Sequence, residues 1–111
     1  MEYGLTKKDL RIIKEILRKH DAVDRAVIFG SRAMGTFQAG SDLDIALKGV
    51  ISSSIVSAIR RDLEETTLPY FFDVLDFNTI REPKLIEHID RYGKVFFVKT
   101  ERRRRAIPLY P

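Results

Sequence analysis

The sequence predicts an α/β domain: a mixed sheet of about four strands with helices packed mainly on one face. Three observations lead there. Short apolar or β-branched runs of strand length recur at 26–29, 41–47, 70–77 and 94–98. Longer segments with helical spacing of apolar residues separate or precede them. Their order is helix, strand, turn, strand, helix, strand, helix, strand, which suits neither an all-β sandwich nor a helical bundle.

Thr6 followed by Asp9 has the form of a helix capping box, with Asp in place of the usual Glu or Gln. Leu10, Ile12, Ile13, Ile16 and Leu17 then recur at helical spacing through His20, which reads as a surface residue near the C-terminal end. Asp21 to Arg25 link this helix to a buried strand, Ala26 to Phe29. Gly30 and Ser31 break the run. A glycine there permits a sharp turn and close approach to a ligand, since no Cβ intervenes. Ser31 is placed to cap a short helix through Arg32, Ala33 and Met34, whose outward N–H groups suit an anion such as phosphate. Gly35 ends the turn, and Ser41-Asp42-Leu43-Asp44-Ile45-Ala46-Leu47 reads as the next strand.

Alternate side chains of a strand share a face, so Asp42 and Asp44 project together while Leu43, Ile45 and Leu47 enter a core. Two carboxylates roughly 7 Å apart along one backbone can flank divalent cations. Mg²⁺ is commonly held by one or two carboxylates together with substrate phosphates and water. The turn and the carboxylate pair therefore make one coherent site for a metal–nucleotide complex.

The remaining elements follow. Ser52, Ser53 and Ser54 offer N-caps to a helix carrying Ile55, Ile59 and Leu63, and Thr66 to Pro69 stop it. Tyr70 to Phe77 reads as an aromatic, β-branched strand interrupted by Asp73. A carboxylate inside an apolar strand is costly unless paired or metal-bound, so Asp73 asks for an explanation. Asp76, of opposite parity, is expected to end the strand or cap the next segment. Pro83 opens a helix with Leu85, Ile86 and Ile89, stopped by Gly93, and Lys94 to Val98 is the last strand. His88, flanked by Glu87 and Asp90, reads as a surface rather than a catalytic histidine.

Gly30-Ser31, Arg32, Gly35 and Ser41-Asp42-Leu43-Asp44 together resemble the signature of the nucleotidyltransferase superfamily. The short chain looks most like the minimal nucleotidyltransferase (MNT) branch, whose members are commonly antitoxins paired with HEPN-domain toxins. The resemblance implies a nucleotidyltransferase-like sheet with Asp42, Asp44 and Asp73 as catalytic, metal-binding carboxylates. It also implies that Gly30, Ser31, Arg32 and Ser41 bind nucleotide. Arg32 has a second reading, in a structural salt bridge. The implied reaction uses ATP as substrate and two Mg²⁺ ions, which at roughly 3.5–4 Å separation stabilise the attacking and leaving oxygens of an in-line displacement. Transfer of AMP to a tyrosine hydroxyl of a HEPN partner would make the pair a hetero-oligomer. The alternative is a non-catalytic module that neutralises such a partner by covering it. Many family members carry a basic residue where Met34 stands, so one charge contact is missing. Gly30 to Gly35 also has Walker A glycine spacing, but Thr36 occupies the lysine position, which argues against a P-loop.

Composition bounds these expectations. One domain fits 111 residues, divided here into a folded part at 1–98 and a basic, flexible tail at 99–111. That tail carries five basic residues against Glu101, which accounts for the whole net charge of +4 and leaves the rest neutral. Its sharper readings are an arm docking through Ile107, Leu109 and Tyr110, or an electrostatic contact with RNA. No RNA-binding fold motif is recognisable, so direct nucleic-acid binding is not expected. With no cysteine there is neither a disulfide framework nor a thiolate metal site, and no apolar run has membrane-spanning length. The cytoplasm is the default compartment.

Overall fold

The computed structural model of the protein describes residues 1–99. Its elements are α1 (Lys7–Arg18), β1 (Val23–Phe29), α2 (Ser31–Met34), β2 (Leu43–Gly49), α3 (Ser53–Glu64), β3 (Phe72–Asp76), a 3₁₀ turn (Phe77–Thr79), α4 (Pro83–Tyr92) and β4 (Lys94–Val98). The four strands form one mixed sheet in the order β3-β2-β1-β4. β1 is antiparallel to both β2 and β4, whereas β2 and β3 are parallel and joined through α3. A parallel pair needs such a crossover, since a tight hairpin reverses chain direction.

Local chemistry sets the helix starts. The Thr6 hydroxyl accepts from the Asp9 N–H at 3.0 Å while the Asp9 carboxylate accepts from the Thr6 N–H, completing the expected capping box. Ser52 is the serine that caps α3, its hydroxyl accepting from the Ile55 N–H. Asp76 caps the 3₁₀ turn by accepting from the Asn78 N–H at 3.0 Å.

Two apolar layers enclose the sheet. On one face, Leu10, Ile13 and Leu17 of α1 and Ile59 and Leu63 of α3 pack against Ile28, Leu43, Ile45, Leu47 and Val74. On the other, Ile89 of α4 packs against Val27, Phe29 and Ala46. The larger helical layer thus covers one face, and the single helix α4 covers part of the opposite one. That partial cover leaves the Phe29 end of the second face available to polar side chains.

Several boundaries differ from the sequence expectation. β1 begins at Val23 rather than Ala26, because it is central and its ladder continues through Arg25, paired with Lys48 on one side and Val98 on the other. His20 is half-buried rather than a surface residue, with Nε2 3.0 Å from the Asp62 carboxylate, so it ties α1 to α3. Lys99, grouped with the tail, is buried: Nζ donates to Asp21 at 2.9 Å and its N–H to the Asp24 carbonyl. The expected tail from 100 onward lies outside the described residues. Among the described residues no helix is long and apolar enough to cross a membrane.

Because Ile89 is the buried residue that α4 contributes to its face, where Phe77 and Ile80 add only partial cover, Ile89, 3% exposed, is as necessary as the fully buried Ile59 on the other side. Ile89→Ala and Ile59→Ala should each destabilise the protein by about 2–5 kcal/mol in urea unfolding. A loss under about 1 kcal/mol for Ile89→Ala would mean that α4 is not docked as described.

Candidate functional site

The candidate site is built where the strands bring Gly30, Asp44 and Asp73 side by side. Phe29, the last residue of β1, pairs with Asp44 of β2, and Asp44 pairs in register with Asp73 of β3. Cross-strand partners share a face, so the two carboxylates project together, on the side that α4 partly covers. Asp42 lies one residue before β2 and is exposed. It still acts on Asp44 electrostatically, as does Asp73.

Crowding changes Asp44 itself. Partial burial first, then the negative charges of Asp73 and Asp42, push its carboxyl up to about 6 against the opposing influence of Arg32. Such a carboxylate, held among like charges, favours a cation beside it. Asp73 is exposed on the edge strand. Water therefore solvates it, and the burial cost expected from the sequence does not arise. What singles it out is its register opposite Asp44.

Gly30 is required for a reason other than ligand approach. It holds φ +75° and ψ −155°, a region essentially confined to glycine. A Cβ built there would overlap the Asp44 carboxylate oxygen Oδ2. The missing side chain is the space that Asp44 occupies. Gly30, not Ser31, is the N-cap of α2, and Ser31 is its first helical residue without a side-chain capping bond. The N–H groups of Ala33 and Met34 turn back to the Gly30 carbonyl. Those of Ser31 and Arg32 belong to the first turn, where a helix has no acceptor of its own to offer.

Arg32 is 3% exposed and faces inward. Nη1 donates to the Tyr3 carbonyl at 2.9 Å, and Nη2 and Nε donate to the Ser41 carbonyl at 3.0 and 3.3 Å. Its guanidinium carbon lies 5.1 Å from the centre of the Phe37 ring and 5.0 Å from that of Tyr70. These carbonyls and ring faces take the place of the salt bridge considered from sequence. Ser41 is used locally as well, its hydroxyl accepting from the Gln38 N–H at 2.8 Å. Arg32 thus ties α2 to the residue preceding Asp42.

His88, read from sequence as a surface residue, is half-buried beside the turn. The Gly30 N–H donates to its Nε2 at 2.9 Å. Its ring stands edge-on to Phe29 with centroids 6.3 Å apart, and 5.5 Å from Tyr92. The signal was present: Leu85, His88, Ile89 and Tyr92 follow the i, i+3, i+4, i+7 stripe that faces a core. The cage of Tyr3, Phe37 and Tyr70 around Arg32 left no comparable trace in the sequence.

Among the described residues no three His, Asp or Glu side chains are drawn close enough to form a ready-made metal cage. The donor set nevertheless fits Mg²⁺, a hard cation that takes carboxylate oxygens and completes its shell with phosphates and water. The elevated Asp44 carboxyl gives a test. In the folded protein Asp44 holds its proton more tightly than its unfolded value of 3.8 allows. Its contribution to stability is therefore present below that value and lost as pH rises through about 6. Asp44→Asn should raise the stability of the metal-free protein at pH 7.5 by on the order of 1 kcal/mol, after discounting for solvent screening. The gain should vanish at pH 4. Equal melting of mutant and wild type at both pH values would show that Asp44 is not strained by its neighbours.

Comparison with known proteins bears on the family and the fold. The family model described as "Polymerase beta, Nucleotidyltransferase" matches residues 11–102. No curated protein sequence matches significantly. Among solved structures, a chain of a toxin–antitoxin complex with AMP-PNP is similar, at TM-score 0.68 and 21% identity, with 88% of this chain and 79% of that one covered. A chain of the complex between a tri-AMPylated HEPN toxin of Shewanella oneidensis and its MNT antitoxin gives TM-score 0.61 at 18% identity, covering 87% and 75%. A nucleotidyltransferase fold from Sulfolobus solfataricus gives 0.51 at 19% identity, covering 80% and 76%. At such identities the likeness concerns the fold, while the family match spans most of the sequence, and the chain belongs to the polymerase beta-type nucleotidyltransferase family.

Proposed function

We propose that the protein is an Mg²⁺-dependent adenylyltransferase that moves AMP from ATP to a hydroxyl of a partner protein, and that the partner is a HEPN-domain toxin. The observation that carries this reading is the crowding of Asp44 by Asp42 and Asp73 beside the Gly30–Ser31 turn. Solved relatives add support, since one complex holds AMP-PNP and another an AMPylated HEPN toxin with its MNT antitoxin. An ATP-consuming reaction on such a partner belongs in the cytoplasm.

Asp42 and Asp44 would hold Mg²⁺, with Asp73 completing the carboxylate set. When bound, the metal supplies charge neutralisation of the triphosphate and of the leaving oxygen. The Ser31 hydroxyl and the amides of the α2 turn hold the β- or γ-phosphate, as helix N-termini favour. Arg32 acts from behind, keeping the turn and Ser41 in place and lowering the cost of charge on Asp44. Asp73, exposed at the sheet edge, orients the incoming hydroxyl and takes its proton. The hydroxyl oxygen bonds to the α-phosphorus, the bond from that phosphorus to its bridging oxygen breaks, and pyrophosphate leaves in line. An open edge suits an acceptor delivered by another protein.

Asp44→Asn and Asp73→Asn should each abolish AMP transfer to the partner, measured by the mass increase of the acceptor, while both variants stay folded. Ser31→Ala should weaken Mg²⁺-ATP binding by roughly ten- to a hundredfold, since a hydrogen bond to a charged phosphate contributes about 1.5–3 kcal/mol. Toxin neutralisation measured in parallel separates catalysis from simple covering of the partner. Neutralisation that survives Asp44→Asn unchanged would exclude transfer as the means of action.

A further inference from the structure

The nucleotide-binding turn is held from the far end of the chain. Gly30 sits at a backbone conformation that its neighbours must enforce, with φ +75° and the Asp44 carboxylate packed where a Cβ would stand. A glycine is the residue least able to keep one such conformation by itself. Its N–H is the group whose direction reports φ, and that N–H donates to His88 Nε2 at 2.9 Å.

His88 is itself fixed. The Phe29 ring stands edge-on to it, Tyr92 lies against it one turn on, and Ile89 beside it anchors α4 to Val27, Phe29 and Ala46. An imidazole accepts at Nε2 only when neutral and protonated at Nδ1, so the bond also selects the tautomer. From the geometry we infer that His88 is a positioning residue for phosphate binding: through Gly30 it sets the direction of the Ser31 amide and the shelf on which Asp44 rests.

Two consequences distinguish this from mere packing. The hold needs an acceptor at the place of Nε2, which glutamine supplies through Oε1 and phenylalanine, of similar bulk, does not. The effect should also be local, since the turn and not the sheet depends on the bond. The inference rests on the adenylyltransferase reading only for its functional half; the hold on the turn stands apart from it.

The experiment compares wild type, His88→Gln and His88→Phe. Amide hydrogen exchange at Gly30 and Ser31 is read by NMR, and Mg²⁺-ATP binding and AMP transfer are measured on the same proteins. His88→Phe should speed exchange at Gly30 about tenfold or more, with the amides of β1 unchanged. It should raise the Kd for Mg²⁺-ATP by about tenfold. His88→Gln should restore both. Unchanged exchange at Gly30 in His88→Phe, or weakened ATP binding that glutamine does not rescue, overturns the inference. Wild-type ATP affinity in His88→Phe overturns it as well. Failure of the wild type to bind Mg²⁺-ATP would defeat the adenylyltransferase reading instead, and Gly30 exchange alone would then decide whether His88 holds the turn.

Discussion

The site depends on one steric fact: the Asp44 carboxylate occupies the volume that a side chain on Gly30 would take. Much else follows from it. Residue 30 must be glycine, β1 must end at Phe29, and β1 and β2 must keep the register that sets Phe29 across from Asp44. A slip of one residue would exchange the faces of β2, sending Asp44 into the core and Ile45 into the site. The apolar alternation of Leu43, Ile45 and Leu47 guards against that slip, because all three are fully buried on the α1–α3 side.

Charge is the second constraint. The charges of Asp73 and Asp42 both bear on Asp44, and the cation that opposes them, Arg32, is buried rather than displayed. A buried guanidinium normally demands a carboxylate partner. Here backbone carbonyls accept from Nε, Nη1 and Nη2 and two aromatic faces shelter its plane, and among the described residues no carboxylate pairs with it at contact distance. Its field therefore remains available to Asp44. Arg32 is both a brace for the loop and a moderator of the repulsion beside it.

The ordered alternation of elements was legible in the sequence, because periodicity and caps are local: the Thr6–Asp9 box and the Ser52 cap formed where their chemistry implied. Strand parity made it legible that Asp44 turns away from the core that Leu43, Ile45 and Leu47 enter, whereas Asp42, expected on the same strand, lies just before it because the β2 ladder starts only at Leu43. What was not legible depended on partners distant along the chain. Asp62 meets His20, Tyr3 meets Arg32, and neither pair leaves a mark at fixed spacing. His88 is intermediate. Its place on the apolar stripe of α4 was visible, but its charged neighbours Glu87 and Asp90 drew the reading toward solvent.

The path of the chain through the sheet has a consequence for local opening. Gly30, Asp42 and Asp44 lie at the same end of one antiparallel pair, β1 with β2, which is joined through α2 over residues 30–42. Contacts between near neighbours in sequence carry the smaller loop-closure cost. Asp73 enters only after the α3 crossover, and His88 only when α4 docks on the opposite face. The parts of the site thus hang on separate elements: a local opening that freed β3 or α4 would leave the first two carboxylates in place while withdrawing the third, or the hold on Gly30.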